Sequence, residues 1–162
     1  MIILKTIAVA LVLYSAFIIG VPWLIVTSTA DSSWGWLPLG PLRWLGPLTV
    51  AFGLYLYTWA LVHLLRRQTS AIPGVQPTVL DTTGWYARMR HPLLAGVVAI
   101  LIGEAVTAQS VALLGYALAY WAWLHAFVTR REEPQLRATF GEAYDDYAEQ
   151  VPRWIPRWNR HS

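Results

Sequence analysis

Long apolar runs alternate with shorter polar segments along this chain of 162 residues. A membrane-crossing helix needs about 20 mainly apolar residues, and runs of roughly that length recur along the sequence. The pattern therefore predicts four membrane-spanning helices, over residues 2–26, 48–65, 92–108 and 111–128. The segments 27–47 and 68–83 contain glycine, proline and polar residues, which favours loops.

The first apolar run has a second interpretation, a secretory signal peptide. The small residues Ser28, Thr29 and Ala30 precede Asp31 and resemble a cleavage site. However, residues 2–26 exceed the apolar region of about 7–15 residues that signal peptides carry. We therefore expect a membrane helix that is retained.

The third and fourth runs are separated by little more than Gln109 and Ser110. Such a short connection predicts a tight helical hairpin with its turn at these two residues. Small residues allow membrane helices to approach closely, so Gly96, Gly103 and Gly115 are predicted to line the contact between the hairpin helices.

The polar C-terminal segment carries apolar residues at spacings of four, four and three: Leu136, Phe140, Tyr144 and Tyr147. This is the stripe of one amphipathic helix, beginning near Pro134 and ending at Val151-Pro152. It is predicted to lie on the membrane surface or to cap the hairpin. The fold class is thus an all-α integral membrane protein. It has one domain, 1–162, divided into 1–83 with two spans and their loops and 84–156 with a candidate binding core.

Composition supports a membrane protein. Mean hydropathy is +0.43 and only 13% of the residues are charged. Many of the 10 tryptophans lie near the ends of the apolar runs, which is typical of an interfacial aromatic belt and not of a tryptophan-rich soluble core. The chain has no cysteine, so disulfides, thiolate zinc sites and cysteine nucleophiles are excluded. We predict no metal site, and we expect membrane lipids as partners but no nucleic acid, because the basic residues flank apolar spans.

Basic residues define the predicted topology. They concentrate in the segment 66–90 and in the tail, whereas the 27–47 loop has one arginine and the Gln109 turn has none. Basic segments stay in the cytoplasm, so both termini and both polar segments are predicted to be cytoplasmic, in a bacterial inner membrane. Oligomeric state is not predicted.

Two charged motifs are candidate binding groups. The Arg-His-Pro segment, Arg90–Pro92, opens the third run, where free N–H groups of a helix N-terminus favour an anion. Its other interpretation is a basic topology signal followed by a helix-starting proline. The acidic pair, Glu132 and Glu133, would bind a cation or would be solvated beside the neighbouring arginines. Adjacent helical residues point about 100° apart, so one of the two is expected to face the site.

Three further ionisable residues lie in or beside apolar runs: His63, Glu104 and His125. Ionisable groups in membrane segments are functional candidates by default. His125 would line the same site or serve as a packing residue, while Glu104 and His63 are compatible with interfacial positions. The sequence has no HExxH, GxSxG, P-loop or GxGxxG motif, which leaves hydrolase, kinase and soluble dinucleotide-binding interpretations without support.

The two motifs belong to longer patterns. The first reads G-x-Y-x-x-x-R-H-P-x-x-x-G from Gly84 to Gly96, and the second reads E-E-x-x-L-x-x-x-F-G-x-x-Y-x-x-Y-x-x-x-V-P from Glu132 to Pro152. In this order and spacing they resemble the isoprenylcysteine carboxyl methyltransferase family, which is similar to the membrane phospholipid methyltransferases. The chain departs from that family at Trp85, where proline is common, and at Leu94, where an aromatic residue is common.

The resemblance implies a membrane methyltransferase that uses S-adenosylmethionine. It implies a cofactor site that contains the Arg-His-Pro segment and the acidic pair. With further positions of the two motifs, the predicted cofactor-binding residues are Tyr86, Arg90, His91, Pro92, Gly96, Glu132, Glu133 and Tyr144. The acceptor would be lipophilic: a prenylcysteine-type carboxylate, a phosphatidylethanolamine-type amine or a small thiol. For an amine acceptor, Glu133 and His125 are the predicted proton acceptors. The alternatives are a related membrane reductase that uses NADPH and a non-enzymatic membrane scaffold.

Overall fold

The described part of the chain is helical. The computed structural model describes residues 15–29, 36–66 and 79–158. Within these ranges the one β-type contact is a bridge between Trp36 and Ser110. The six α-helices are α1 (Val21–Thr29), α2 (Leu45–Arg66), α3 (Pro92–Ala108), α4 (Val111–Phe127), α5 (Glu133–Phe140) and α6 (Glu142–Gln150). Short helical turns precede or join them: the π-helical Ser15–Gly20 and Val128–Glu132, and the 3₁₀-helical Gly40–Trp44 and Gly84–Ala87.

Two helical stretches are long and apolar enough to cross a membrane, Gly40–Arg66 and Val111–Phe140. Only 17% and 22% of their most apolar windows are buried, so most of these side chains face outward, unlike those of a soluble core helix. The prediction of a helical membrane protein is confirmed at this level. The helix Ala16–Thr29 and α3 are shorter, and the count of four spans stays a prediction. Most of the predicted first run lies outside the described residues.

The hairpin turn lies where the sequence predicts it. Gln109 has a positive φ of 52°, and the Ser110 hydroxyl accepts a hydrogen bond from the amide of Leu113 at 3.2 Å. The Gln109 carbonyl and side chain also accept hydrogen bonds from the amides of Leu37 and Leu39, at 2.7 and 3.1 Å. The turn therefore also fixes the segment that leads into α2.

The glycine prediction was wrong about the helix pair. Gly96 and Gly103 of α3 face α2, where they meet Gly53 and Gly46. A Cβ atom built on Gly96 would lie 2.8 Å from the amide nitrogen of Tyr57, and one built on Gly103 would lie 2.7 Å from the carbonyl oxygen of Gly46. The close helix contact is therefore the α2–α3 interface. Gly115 of α4 has no atom within 4 Å of its Cβ position in the described structure.

The predicted single tail helix is two helices. Gly141 has a positive φ of 57°, a conformation that other residues rarely adopt, and it separates α5 from α6. The apolar stripe is nevertheless kept, because Tyr144 and Tyr147 of α6 pack with Leu136 and Phe140 of α5. Helix α6 ends at Gln150, directly before the predicted stop.

Candidate functional site

The Arg-His-Pro segment is held in place by the C-terminal tail. Pro92 is the first residue of α3 and is fully buried. The amides of Arg90 and His91 donate to the carbonyls of Pro152 and Arg153, at 2.9 and 3.3 Å. These backbone hydrogen bonds hold the chain that follows α6 alongside the start of α3. Residues of the tail and of the Arg-His-Pro segment therefore share one site.

Glu133 is the centre of the charged cluster, which consists of Arg90, His91, Glu132, Glu133 and Arg153. Its side chain is 9% exposed. Oε1 accepts hydrogen bonds from Arg90 Nη1 at 2.8 Å and from Arg153 Nε at 2.7 Å, and Oε2 accepts one from Arg153 Nη2 at 2.9 Å. A buried carboxylate requires such partners. Two motifs 43 residues apart in sequence are thereby joined.

Glu132 occupies the edge of the charged cluster. Its side chain is 30% exposed, and its Oε1 lies 3.5 Å from His91 Nδ1. His91 Nε2 lies 3.7 Å from Oε1 of Glu133. The acidic pair therefore has one buried member, Glu133, whose charge two arginines balance, and one more accessible member, Glu132.

The charge state of His91 follows from these neighbours. Burial lowers the pKa of His91, but the carboxylates of Glu132 and Glu133 outweigh burial and raise the pKa above 6.5. His91 is thus favoured in its protonated form, with one ring nitrogen directed towards each carboxylate.

We expect this interaction to make folding stability pH-dependent. A histidine whose pKa is raised by folding contributes stability that is complete below the unfolded value of about 6.5 and is lost as pH rises through the folded value. Thermal unfolding in detergent should therefore show a free energy of unfolding that falls above about pH 6.5. The total loss should be about 1.4 kcal/mol for each unit by which folding raises the pKa of His91. The Glu132→Gln variant should show a weaker slope, and an equal slope in this variant would contradict the assignment.

His125 lies beside the charged cluster, separated from it by Trp154. The indole Nε1 of Trp154 donates to His125 Nδ1 at 3.1 Å, and the ring of Trp121 stacks on His125 with centroids 5.6 Å apart. The Trp154 ring lies 6.0 Å from that of His91. Because its Nδ1 already accepts a hydrogen bond, His125 has the contacts of a packing residue, and its role as a proton acceptor remains a prediction.

The two tyrosines of the predicted site are positioned differently. Tyr144 is 1% exposed and lies in the α5–α6 core. The backbone carbonyl of Tyr86 accepts a hydrogen bond of 2.7 Å from the Tyr147 hydroxyl, which joins the Gly84–Ala87 turn to α6. Gly96, by contrast, lies in the α2–α3 interface, where it packs against α2, and its contact with a cofactor stays a prediction.

Three buried polar atoms at the charged cluster have no hydrogen-bond partner in the described structure: Arg90 Nε, His91 Nε2 and the Tyr144 hydroxyl. A fourth such atom, Glu104 Oε2, belongs to α3. Leaving a buried polar group unpaired costs about 1–3 kcal/mol, so a concentration of such atoms indicates a site for a polar ligand. Two arginines, a histidine and an accessible carboxylate suit a ligand that carries both a carboxylate and cationic groups.

Sequence reasoning missed Arg153 and Trp154. Both follow directly after Val151-Pro152, which we interpreted only as the end of a helix. Arg153 and Trp154 directly follow the last residue of the second motif, and no periodicity in the sequence marked them.

The exposed apolar helices and the charged cluster define a small helical membrane protein with a buried site for a polar, charged ligand. The model of the phospholipid methyltransferase family matches residues 42–143, and the chain belongs to that family. The match includes the Arg-His-Pro segment and the acidic pair, which confirms the resemblance found in the two motifs.

Three relatives are 32–33% identical to this chain over the aligned residues. The nickel-cobalt-cadmium resistance protein NccN of Alcaligenes xylosoxydans xylosoxydans is 32% identical over 83% of this chain and 59% of its own length. The methanethiol S-methyltransferase 2 of Bradyrhizobium diazoefficiens is 32% identical over 75% and 46%. The protein-S-isoprenylcysteine O-methyltransferase of Schizosaccharomyces pombe is 33% identical over 48% and 33%. The chain thus spans between a third and three fifths of the length of these relatives.

A solved structure shares the fold. The eukaryotic intramembrane Ras methyltransferase, an isoprenylcysteine carboxyl methyltransferase, superimposes with a TM-score of 0.62 over 86% of this chain and 50% of its own, at 24% identity. The likeness supports an integral membrane fold for the described helices.

Proposed function

We propose that this protein is an S-adenosylmethionine-dependent methyltransferase that acts on a lipophilic acceptor at the membrane. The observation that carries the proposal is the set of unpaired buried atoms on Arg90, His91 and Tyr144, which are residues of the two motifs. The bound cofactor supplies a methyl group on a positively charged sulfur. The family supports a methyl donor of this kind.

Different residues of the cluster are proposed to bind the negative and the positive groups of the cofactor. Arg90, Arg153 and His91, together with the N-terminus of α3, are donors for its carboxylate. Glu132 is the accessible carboxylate for its cationic groups, and the Tyr144 hydroxyl offers a further hydrogen bond. Glu133 holds the two guanidinium groups in position. Because both arginines already balance its charge, we do not assign Glu133 the predicted role of proton acceptor.

The acceptor is expected to approach from the membrane. The outward faces of the two candidate spans are apolar. The charged cluster, in contrast, lies where α3 begins and beyond the last residue of α4. A methyl transfer needs acceptor and methyl group held about 3–3.5 Å apart and shielded from water, which the buried cluster at this junction supports. Relatives act on an isoprenylcysteine carboxylate or on methanethiol, so both acceptor chemistries are open to test.

The test is binding of S-adenosylhomocysteine and of NADPH to the detergent-purified protein by calorimetry. The wild type should bind S-adenosylhomocysteine, and absence of that binding would overturn the proposal. Binding of NADPH alone would favour the reductase alternative. A methylation assay on lipid extracts then addresses the acceptor.

Arg153→Ala should weaken S-adenosylhomocysteine binding at least about tenfold, because it removes a charged donor that contributes roughly 1.5–3 kcal/mol. Arg137→Ala is the matched control, since Arg137 pairs with Asp145 at the surface and its side chain is 59% exposed. Equal affinities of the Arg153→Ala and Arg137→Ala variants for S-adenosylhomocysteine would show that Arg153 does not contribute to the site.

A further inference from the structure

A histidine–aspartate pair lies at the end of α2. His63 Nε2 is 2.5 Å from Asp81 Oδ2, and the Asp81 side chain is 6% exposed. The amide and hydroxyl of Thr83 donate to the other oxygen of Asp81 at 3.0 and 2.8 Å. Burial raises the pKa of Asp81, but these hydrogen bonds and His63 outweigh burial and hold the pKa below its usual value. Asp81 is therefore a fixed carboxylate that orients the imidazole.

Aromatic rings enclose this imidazole. The His63 ring stacks on Trp59 with centroids 4.7 Å apart, and the ring of Tyr86 lies 6.1 Å from it. Gly84, the first residue of the first motif, lies against the Trp59 ring with a positive φ of 59°. The first motif is thus packed directly onto the His63 face of α2.

Tyr86 connects the His63–Asp81 pair to the proposed cofactor site. Burial raises the pKa of Tyr86, and Tyr147, Asp81 and Glu132 add to the rise. The Tyr86 side chain therefore experiences the charges of both Asp81 and Glu132. His63 lies near the end of the candidate span Gly40–Arg66. A lipophilic molecule that moves along this apolar span would therefore meet His63 near its end.

We propose that His63 is the catalytic base for a thiol acceptor and that Asp81 positions it. The inference rests on the proposed function. Asp81 accepts the Nε2–H, which leaves the Nδ1 lone pair to take the thiol proton, and 21% of the His63 side chain is exposed for access. The resulting thiolate forms the new S–C bond to the methyl group as the bond from that carbon to the donor sulfur breaks. The donor sulfur keeps the electron pair, and His63 releases its proton to water.

The chemistry of the pair selects a thiol among the possible acceptors. A carboxylate acceptor is already anionic and needs no base. A thiol reacts as its thiolate and must first lose a proton, and a cysteine-type thiol ionises near pH 8.5, whereas a lysine-type ammonium ionises near 10.4, about a hundredfold less readily. An imidazole is thus better matched to a thiol than to an amine. The titratable groups that the structure places against its ring are Asp81, by hydrogen bond, and Tyr86, by ring contact.

The test compares wild type with His63→Gln, with octanethiol as the acceptor. Glutamine keeps a hydrogen-bond donor for Asp81 but has no basic nitrogen, so a purely structural role survives the change. We expect His63→Gln to retain S-adenosylhomocysteine binding and to slow octanethiol methylation about 10²–10⁴-fold near neutral pH. The deficit should shrink about tenfold per pH unit as pH rises towards the pKa of the thiol, because the thiolate then forms unaided.

A second readout needs no turnover. Ultraviolet absorbance of the thiolate is measured with S-adenosylhomocysteine present. It should show octanethiol ionising at lower pH on the wild type than in detergent alone. His63→Gln and Asp81→Asn should each abolish this shift.

Wild-type turnover and thiolate formation in His63→Gln would overturn the inference. So would loss of S-adenosylhomocysteine binding in His63→Gln, since the pair would then belong to the cofactor site. Failure of the wild type to methylate octanethiol while it binds S-adenosylhomocysteine would overturn the thiol assignment, whereas absence of that binding overturns the proposed function itself.

Discussion

Replacing Glu133 by alanine is expected to lower the free energy of unfolding by about 3 kcal/mol and to abolish S-adenosylhomocysteine binding. The side chain is 9% exposed and balances two guanidinium groups. Removing one member of a buried ion pair leaves uncompensated charge and costs about 3–5 kcal/mol. The lower end applies here because the Arg153 side chain is 40% exposed and water partly solvates it. Unfolding in detergent, followed by far-ultraviolet circular dichroism, measures the loss.

The neighbouring residue provides the control for this experiment. Glu132 has the same chemistry, but its side chain is 30% exposed and its ion-pair contact is His91 Nδ1 at 3.5 Å. We expect Glu132→Ala to destabilise by no more than about 1 kcal/mol, as partly exposed pairs do. Equal destabilisation by the two substitutions would contradict the central position of Glu133.

A double variant separates charge burial from lost packing. If the cost of Glu133→Ala arises from unpaired arginines, adding Arg153→Met should recover part of it, because the second substitution removes one of the stranded charges. Additive losses in Glu133→Ala/Arg153→Met would instead assign the cost to packing.

The approach of the two motifs could be predicted, because the turn at Gln109 is so short. A hairpin with two turn residues returns the chain to the level at which α3 begins, so Arg90 and Glu133 meet although 43 residues separate them. The angle between adjacent helical residues also predicted that one member of the acidic pair faces the site. Which member it is depends on the π-helical turn Val128–Glu132, which shifts the register and has no sequence signature that we recognised.

Residues that reach the site through backbone pairing were not predictable in the same way. Arg153 is positioned by hydrogen bonds from the amides of Arg90 and His91 to tail carbonyls, and backbone bonds outside regular elements leave no side-chain periodicity. His63 and Asp81 likewise meet although 18 residues separate them and no periodic pattern relates them. These pairs depend on tertiary packing, which hydrophobic patterns in a single sequence constrain only weakly.

The error over the glycines has a more specific cause. Gly96 and Gly103 are seven residues apart, two helical turns, and were assigned to the helix that follows them in sequence. Gly46 and Gly53 have the same spacing on α2, so two antiparallel helices can pair Gly53 with Gly96 and Gly46 with Gly103. The matching seven-residue spacings on the two helices were therefore a signal in the sequence from which the α2–α3 interface could have been predicted.

We expect Gly53→Ala to lower the free energy of unfolding by about 2–3 kcal/mol, through separation of α2 from α3. A Cβ atom at this position would lie 2.7 Å from the carbonyl oxygen of Gly96 and 2.8 Å from the amide nitrogen of Ile100. Backbone atoms of a packed helix cannot move aside as a flexible side chain can, and overpacking of this kind costs about 1–3 kcal/mol. The double variant Gly53→Ala/Gly96→Ala should be worse, since both added methyl groups enter the same contact.

Gly115→Ala is the matched control on α4. With no atom within 4 Å of its Cβ position, the substitution meets no obstacle in the described structure and gains helix propensity of up to about 1 kcal/mol. The same series tests the role of Gly96. If Gly96 only packs, Gly96→Ala should lose stability as Gly53→Ala does, and folded protein should bind S-adenosylhomocysteine as Gly53→Ala does. A selective loss of binding in Gly96→Ala would instead support the predicted cofactor contact, because Gly53 lies outside both motifs and shares only the helix interface.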